Sequence, residues 1–357
     1  MNHFSAIREK LSAYGLDAIM LTEQYNRFYA TGFPSTGTDG LALITKHQNY
    51  YFTDSRYTVA AQRHVQDAVI TIIGGGKGYI QLVNEIIEKE GIETLGFDEG
   101  YMTVADFNRY ENNLKAALKP ASALMGELRI TKDPEEMERL IHAQRIAEKA
   151  LSETVPMIKP GVTEKEVASY LVYRLLANGA ENVSFDPIVV SGANGAMPHG
   201  VPSDKKIEAG EFVTIDFGAL KDGYCSDTTR TFAVGYVTDE MKKVYDTVLL
   251  AQTTAIAATK AGMTGKEIDG IARKIIADAG YGEYFGHGYG HGVGVEIHEA
   301  PSVSMRSEMP LPAGSVTSAE PGIYIPGKFG VRIEDVVLLT EEGSENLCVF
   351  PKELTIL

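Results

Sequence analysis

The sequence predicts an α/β N-terminal domain over residues 1–125, followed by an α+β domain over residues 126–357 with a pseudo-twofold internal repeat. Three observations carry this prediction. Helical and strand periodicities alternate through the first third, the pattern of a sheet covered by helices. A strong helix start at Asp133-Pro-Glu-Glu opens a new segment. A helix-pair design then occurs twice, about one hundred residues apart.

In the first third, Ile7, Leu11 and Tyr14 form one helical stripe, and Asp17-Ala-Ile-Met-Leu-Thr reads as a short apolar strand. Leu41-Ala-Leu-Ile-Thr and Tyr50-Tyr-Phe-Thr read as a hairpin around Lys46-His47-Gln48-Asn49. Helices are expected at 56–66, 77–90 and 103–118, with strands at 68–73 and 93–97. Gly74-Gly-Gly-Lys77 lacks the spacing and the Ser/Thr of a phosphate loop, so it reads as a turn. No His/Asp/Glu cluster occurs here, and the domain is expected to shape or support a site made elsewhere.

At the boundary, Asp133 suits an N-cap, Pro134 the first helical position, and Glu135 and Glu136 the helix dipole. A helix of roughly twenty residues should follow and end near Ile158-Lys-Pro-Gly. Thr163-Glu-Lys-Glu166 is a capping box opening a second helix that stops near Gly179. The repeat lies in Lys159-Pro-Gly-Val-Thr-Glu-Lys-Glu-Val against Lys260-Ala-Gly-Met-Thr-Gly-Lys-Glu-Ile, where Thr264 and Glu267 restate the capping box and Gly280 restates Gly179. A histidine follows each helix pair, His199 and then His298. Two carboxylates follow each histidine: Asp216 and Asp227, then Glu320 and Glu334. The spacings differ, as in a diverged duplication, and the carboxylates are expected to meet at the axis.

The chemistry is expected there. Phe212-Val-Thr-Ile-Asp-Phe alternates as a half-buried strand with Asp216 opposite Val213, Ile215 and Phe217. Lys221-Asp-Gly-Tyr is a turn signal, and Tyr224 to Phe232 returns as the partner strand. Glu334 lies in a similar strand, Val331 to Leu339. From Phe285 onward, His287, His291 and His298 alternate with glycines that let backbones approach closely. A glycine-rich loop with unrelated polar residues is the bland alternative. Four carboxylates on core strands repel and cost several kcal/mol each to bury unpaired. Raised pKa values, arginine partners (Arg230 and Arg332) or bound cations would each compensate. Two divalent ions offset four carboxylates, an imidazole completes an N/O ligand set, and a water between the ions becomes a nucleophile near neutral pH. Oxygen-rich, thiolate-free ligands favour a hard ion such as manganese, with cobalt, zinc or iron able to substitute.

Composition narrows the partners. A net charge of −15 argues against nucleic acid and against anionic membrane surfaces. No run has the length of a transmembrane helix, and the first ten residues carry charge where a signal peptide needs an apolar stretch. Two cysteines, Cys225 and Cys348, are too few and too far apart for a disulfide framework or thiolate site. A reduced cytoplasmic compartment is expected.

Thr-Ile-Asp216-Phe-Gly, Ser-Asp227-Thr-Thr-Arg-Thr, Gly-His291-Gly-Val-Gly, Ala-Glu320-Pro-Gly-Ile-Tyr and Val-Arg-Ile-Glu334-Asp together resemble the ligand motifs of the pita-bread metallopeptidases. That group includes methionine aminopeptidase, aminopeptidase P, prolidase and the metal-free creatinase. The resemblance covers residues 127–357, and the preceding domain fits the creatinase/aminopeptidase P/prolidase branch. It implies a dinuclear site in which Asp216 chelates one metal, His291 and Glu320 the other, and Asp227 and Glu334 bridge. Glu320 would also be the general base, His298 would bond the scissile carbonyl and the tetrahedral intermediate, and His199 would sit by the scissile nitrogen. Phe185, His287 and Arg332 would wall a proline pocket. Tyr289 stands where the family motif often has Thr.

The resemblance implies hydrolysis of Xaa-Pro bonds, tertiary amides that offer no N–H to recognise. Creatine hydrolysis on the same fold and a metal-free binding module are the alternatives, and both lack the complete ligand set. Some prolidases carry an arginine just after the His-Glu-x-Pro segment to hold the substrate carboxylate; here that position is Ser302, and the nearest downstream cation is Arg306. Asp54-Ser-Arg-Tyr also resembles aminopeptidase P more than prolidase. Action at the N-terminus of longer peptides is therefore expected over a dipeptidase, unless Arg306 bends back into the site. The first domain or the partner in an expected homodimer would wall the N-terminal side.

Overall fold

The computed structural model describes residues 2–35, 37 and 39–357, which divide into two compact units, one ending at Arg129 and one running from Ile130 to Leu357. The helix Ser122–Ile130 runs across the position where the sequence reading sets its boundary.

The first unit is a six-stranded sheet in the order Val69–Ile72, Asn49–Thr53, Leu41–Thr45, Ala18–Leu21, Thr94–Phe97, Ala117–Pro120. The hairpin pairs antiparallel, and Thr94–Phe97 runs parallel to both of its neighbours. Gly74 and Lys77 exchange backbone hydrogen bonds of 3.1 and 3.0 Å, closing a tight turn with Gly75 and Gly76 at positive φ. One expectation fails. The helix expected over 103–118 ends at Glu111, because the Asn112 and Asn113 side chains donate to the carbonyls of Asn108 and Arg109. The chain beyond it forms the edge strand Ala117–Pro120, whose parallel partner is distant in sequence. The helix Gln24–Thr31 also goes unforeseen: Glu23 caps it by accepting from Tyr25 N and Asn26 N, a role the sequence leaves indistinct in a carboxylate.

In the second unit the Asp133 capping box opens Pro134–Thr154, and those of Thr163 and Thr264 open Glu164–Ala177 and Gly265–Asp278. Asp239–Ala258 completes the second helix pair. The duplication extends to single hydrogen bonds. Gly161 N donates to Ile207 O and Ile207 N to Val162 O, just as Gly262 N donates to Leu311 O and Leu311 N to Met263 O. Lys165 N donates to Ser203 O as Lys266 N does to Ser307 O. Each helix pair buries its own core: Leu151, Leu171, Ile215 and Phe217 under the first, Val248, Ile268, Ile323 and Val331 under the second.

Three strand expectations need correction. Phe212–Phe217 is buried on both faces rather than one, because its Asp216 face is enclosed by the second half of the unit. The returning strand is split into Tyr224–Cys225, paired with Ala219–Lys221, and Thr228–Ala233, paired with Phe212–Phe217. The strand expected from Val331 to Leu339 is likewise two, Phe329–Arg332 and Asp335–Leu339. The breaks hold Asp227 and Glu334, where release from the ladder lets the carboxylates turn inward.

Candidate metal centre

Phe185, His199, Asp216, Asp227, His287, His291, His298, Glu320, Arg332 and Glu334 all line one cavity of about 600 Å³. Their placement follows from local structure. Asp216 projects from a central strand. Asp227, Glu320 and Glu334 each occupy a strand break, Glu320 between Val316–Ala319 and Gly322–Ile325. Glu334 N donates to Thr229 O (3.1 Å) and Glu320 N to Tyr289 O (2.8 Å), which ties these breaks to neighbouring strands. His291 sits in the short strand Gly290–Gly292. A Cβ on Gly290 would lie 2.2 Å from Ser318 O, and one on Gly292 would lie 2.3 Å from Ala300 O, so the flanking glycines are required by close backbone approach.

Asp227, His291 and Glu334 each offer a ligand atom within 4.8 Å of the others. His291 Nε2 lies 3.2 Å from Glu320 Oε1 and 3.6 Å from Asp227 Oδ2. Its Nδ1 faces Gly292 O at 3.1 Å; a carbonyl only accepts, so Nδ1 carries a proton and Nε2 is the nitrogen turned toward the carboxylates. The His291 and His298 rings meet edge to face with centroids 4.3 Å apart.

The charges are strongly perturbed. Burial, then the Asp216 carboxylate, push Asp227 well above the usual carboxylate range; burial and Asp227 do the same to Glu334. Burial also raises Asp216, against the opposing charge of Arg332. Burial would raise Glu320 too, but its bond to His291 brings it to about 2, and His291 rises to about 9 despite its burial. Burial lowers His287 and His298, with His291 contributing at His298, and both favour the neutral imidazole.

Arginine compensation is partial. Arg332 Nη2 donates to Asp216 Oδ2 at 2.6 Å. Arg230 pairs with Asp335 at 2.8 Å, a carboxylate outside the cavity lining, and also holds the carbonyls of Glu334 and Phe350. Among the described residues, the Glu334 carboxylate accepts from a single side chain, the Thr229 hydroxyl at 2.7 Å. Asp216 Oδ1 is buried with no hydrogen-bond partner among the described residues. An orphaned carboxylate oxygen beside a converging His/Asp/Glu set is the donor arrangement that oxygen-preferring divalent ions require, so these residues fit a metal centre.

Sequence reasoning missed Tyr324. Arg332 Nη1 donates to its hydroxyl at 2.9 Å, and the hydroxyl donates to His287 Nε2 at 2.9 Å, while His287 Nδ1–H bonds Gly288 O. Burial raises the Tyr324 hydroxyl to about 12, keeping it a donor. The signal was its place at the end of Ala-Glu-Pro-Gly-Ile-Tyr, two strand positions beyond the conspicuous Gly322. Tyr289 turns into the core, its amide held by Asp269 at 3.0 Å, and Arg306 is exposed and lies outside the lining.

Residues 138–341 match the model of metallopeptidase family M24, and residues 4–131 match that of the creatinase/prolidase N-terminal domain. An Xaa-Pro dipeptidase of Pyrococcus furiosus is 40% identical, covering 95% of each chain. Among solved structures, an Xaa-Pro dipeptidase from Bacillus anthracis superposes with a TM-score of 0.95 at 42% identity, covering 99% of each chain. An X-Pro aminopeptidase from Thermotoga maritima MSB8 gives 0.90 at 39% identity, covering 96% of this chain and 98% of its own. Among the described residues, no helix is long and apolar enough to cross a membrane.

Proposed function

This chain belongs to metallopeptidase family M24, and from that premise we propose that it hydrolyses Xaa-Pro bonds at the N-terminus of peptides with two divalent ions. The observation that carries the reading is the convergence of Asp216, Asp227, His291, Glu320 and Glu334 on one cavity with an unpartnered Asp216 oxygen. Asp216 would hold one ion, His291 and Glu320 the other, and Asp227 and Glu334 both. The hard, oxygen-rich set favours manganese. Bound there, the ions supply Lewis acidity and a nucleophilic water near neutral pH.

The remaining chemistry falls to side chains. Glu320 takes the proton of the attacking water. His298, neutral and facing the cavity, donates an N–H to the carbonyl oxygen as negative charge develops on it. His199 stands on the side of the scissile nitrogen, where the leaving proline amine takes up a proton. Phe185 and His287 offer flat walls to the proline ring, and Tyr324 holds His287 through its Nε2.

Preference for longer peptides is supported by the cations. Arg332, the cavity's arginine, is committed to Asp216 and Tyr324, and Arg306 is exposed outside the lining. A dipeptidase needs a cation for the proline carboxylate. The dipeptidase reading is favoured in turn by the names of the Pyrococcus and Bacillus anthracis relatives. Hydrolysis of Ala-Pro-Ala against Ala-Pro, with and without manganese, tests the choice. A higher kcat/KM for the tripeptide, little changed by amidating its C-terminus, is expected; cleavage confined to dipeptides decides for the dipeptidase. A homodimer and a reducing cytoplasmic location belong to the same reading, the latter supported by the burial of the chain's two cysteines, Cys225 and Cys348.

A further inference from the structure

We propose that Glu164 is the positioning residue for His199, an inference that rests on the assignment of His199 to the reaction. Glu164 is the first residue of the helix Glu164–Ala177, yet it is fully buried rather than solvated at the helix end. Its Oε1 accepts from Ser191 N (2.6 Å), Ser191 Oγ (2.8 Å) and Asn194 Nδ2 (3.2 Å). Its Oε2 accepts from Asn194 Nδ2 (3.2 Å), Ser203 N (3.1 Å) and Ser203 Oγ (2.6 Å). All these donors belong to residues 191–203, the loop that carries His199 to the cavity wall. An ionised carboxylate accepts only, with about four lone-pair sites, so the loop's donors saturate it. The nearby Lys205 ammonium donates to Glu211 at 2.7 Å and to Ser191 Oγ at 3.0 Å.

The loop is gripped from the opposite side as well. Arg332 Nη1 donates to Pro198 O at 3.2 Å, one residue before His199, and a Cβ on Gly330 would lie 2.0 Å from Gly195 O. His199 thus stands between a carboxylate clamp on the helix side and an arginine contact on the cavity side.

The internal repeat shows what Glu164 replaces. Its counterpart after Thr264 is Gly265, where a Cβ would lie 2.6 Å from Ser302 O and 2.7 Å from Ser307 Cβ. In the second half the loop packs directly on the helix. In the first half it stands off, and the Glu164 carboxylate fills the gap and fixes the loop by hydrogen bonds to both of its ends. A role confined to helix capping would not direct the side chain inward, since the box is already closed by Thr163 and Glu166.

The test is a double-mutant cycle of Glu164→Ala and His199→Ala in the manganese-loaded enzyme. It is read as kcat and KM for Ala-Pro-Ala, metal content, and hydrogen exchange of residues 188–203. Glu164→Ala should lower kcat by about 10²-fold, the order that one ångström of misplacement costs. KM should change less than kcat, metal content should stay full, and exchange in the 188–203 segment should accelerate. The double variant should be no slower than His199→Ala alone. Losses that multiply in the double variant, or unchanged exchange in Glu164→Ala, overturn the proposal. If the alanine variant does not fold, Glu164→Gln, which keeps the volume and one acceptor oxygen, takes its place in the same cycle. An unaffected kcat in His199→Ala removes the assignment beneath the proposal, and the exchange readout distinguishes that outcome from failure of the clamp.

Discussion

The guanidinium of Arg332 lies 2.6 Å from the Asp216 carboxylate, across 116 residues of sequence. One cation thereby answers one of the four converging carboxylates Asp216, Asp227, Glu320 and Glu334, and His291 answers Glu320 at 3.2 Å. Asp227 and Glu334 are left with the largest upward pressure on their protons. They are the positions where added positive charge gains most.

Replacing Asp227 by Asn keeps the volume and removes one of the two uncompensated charges. Metal occupancy should fall below two ions per chain. Turnover should drop by more than about 10²-fold, beyond the range that loss of an outer-shell partner produces. Elemental analysis and steady-state kinetics check this; full activity with two bound ions would sink the dinuclear reading.

His298 faces the cavity with its ring against His291, and nothing in its placement holds the carboxylates. His298→Ala should lower kcat on the order of 10²–10³-fold, the usual loss of one oxyanion donor, with metal content intact. A variant of unchanged kcat removes His298 from the reaction.

Stability of the metal-stripped protein should decline as pH rises. The raised Asp227 and Glu334 hold protons in the folded state that the unfolded chain releases above roughly pH 4, so the slope of stability with pH is negative above that point. His291 adds a contribution present below its unfolded value, near 6.5, and lost as pH climbs through about 9. Glu320, lowered to about 2, contributes a term that is constant over this window. His287 and His298, lowered by burial, oppose this slope below about pH 6.5, so the melting temperature should fall most clearly between about pH 6.5 and about pH 9, and saturating manganese should raise it more at the alkaline end. A melting temperature that climbs with pH would contradict the sign.

Lys132 and Glu299 form a buried ion pair at 2.7 Å, with side chains 1% and 4% exposed, immediately beside His298. Lys132→Met removes this cation from the buried carboxylate and should cost about 3–5 kcal/mol in urea unfolding. Adding Glu299→Gln should recover most of that loss, because the penalty comes from burying the carboxylate charge without the Lys132 ammonium. Equal destabilisation of the single and double variants would show that packing dominates instead.

Much of this protein is legible in its sequence because the signals are local. Capping boxes at Asp133, Thr163 and Thr264 act within four residues, and each begins a helix. The glycine-flanked His291 and the carboxylates in their short motifs offer a candidate ligand set before any strand is paired. Other features depended on partners far along the chain. The edge strand Ala117–Pro120 exists because Thr94–Phe97 templates it, against a helical pattern in its own residues. Arg230 and Arg332 look equivalent beside their carboxylates, yet packing sends the first to Asp335 and the second to Asp216. Tyr324 gains its place only when two strands bring it between Arg332 and His287, and Glu164 becomes a clamp only when the loop 191–203 folds back over its helix. The sequence by itself determined which groups could bind metal and move protons, since that chemistry belongs to residue types in short motifs. Tertiary structure alone decided which charges are compensated and which histidines are held, because both depend on burial and on contacts between segments separated in sequence, from 37 residues for His287 and Tyr324 to 116 for Arg332 and Asp216.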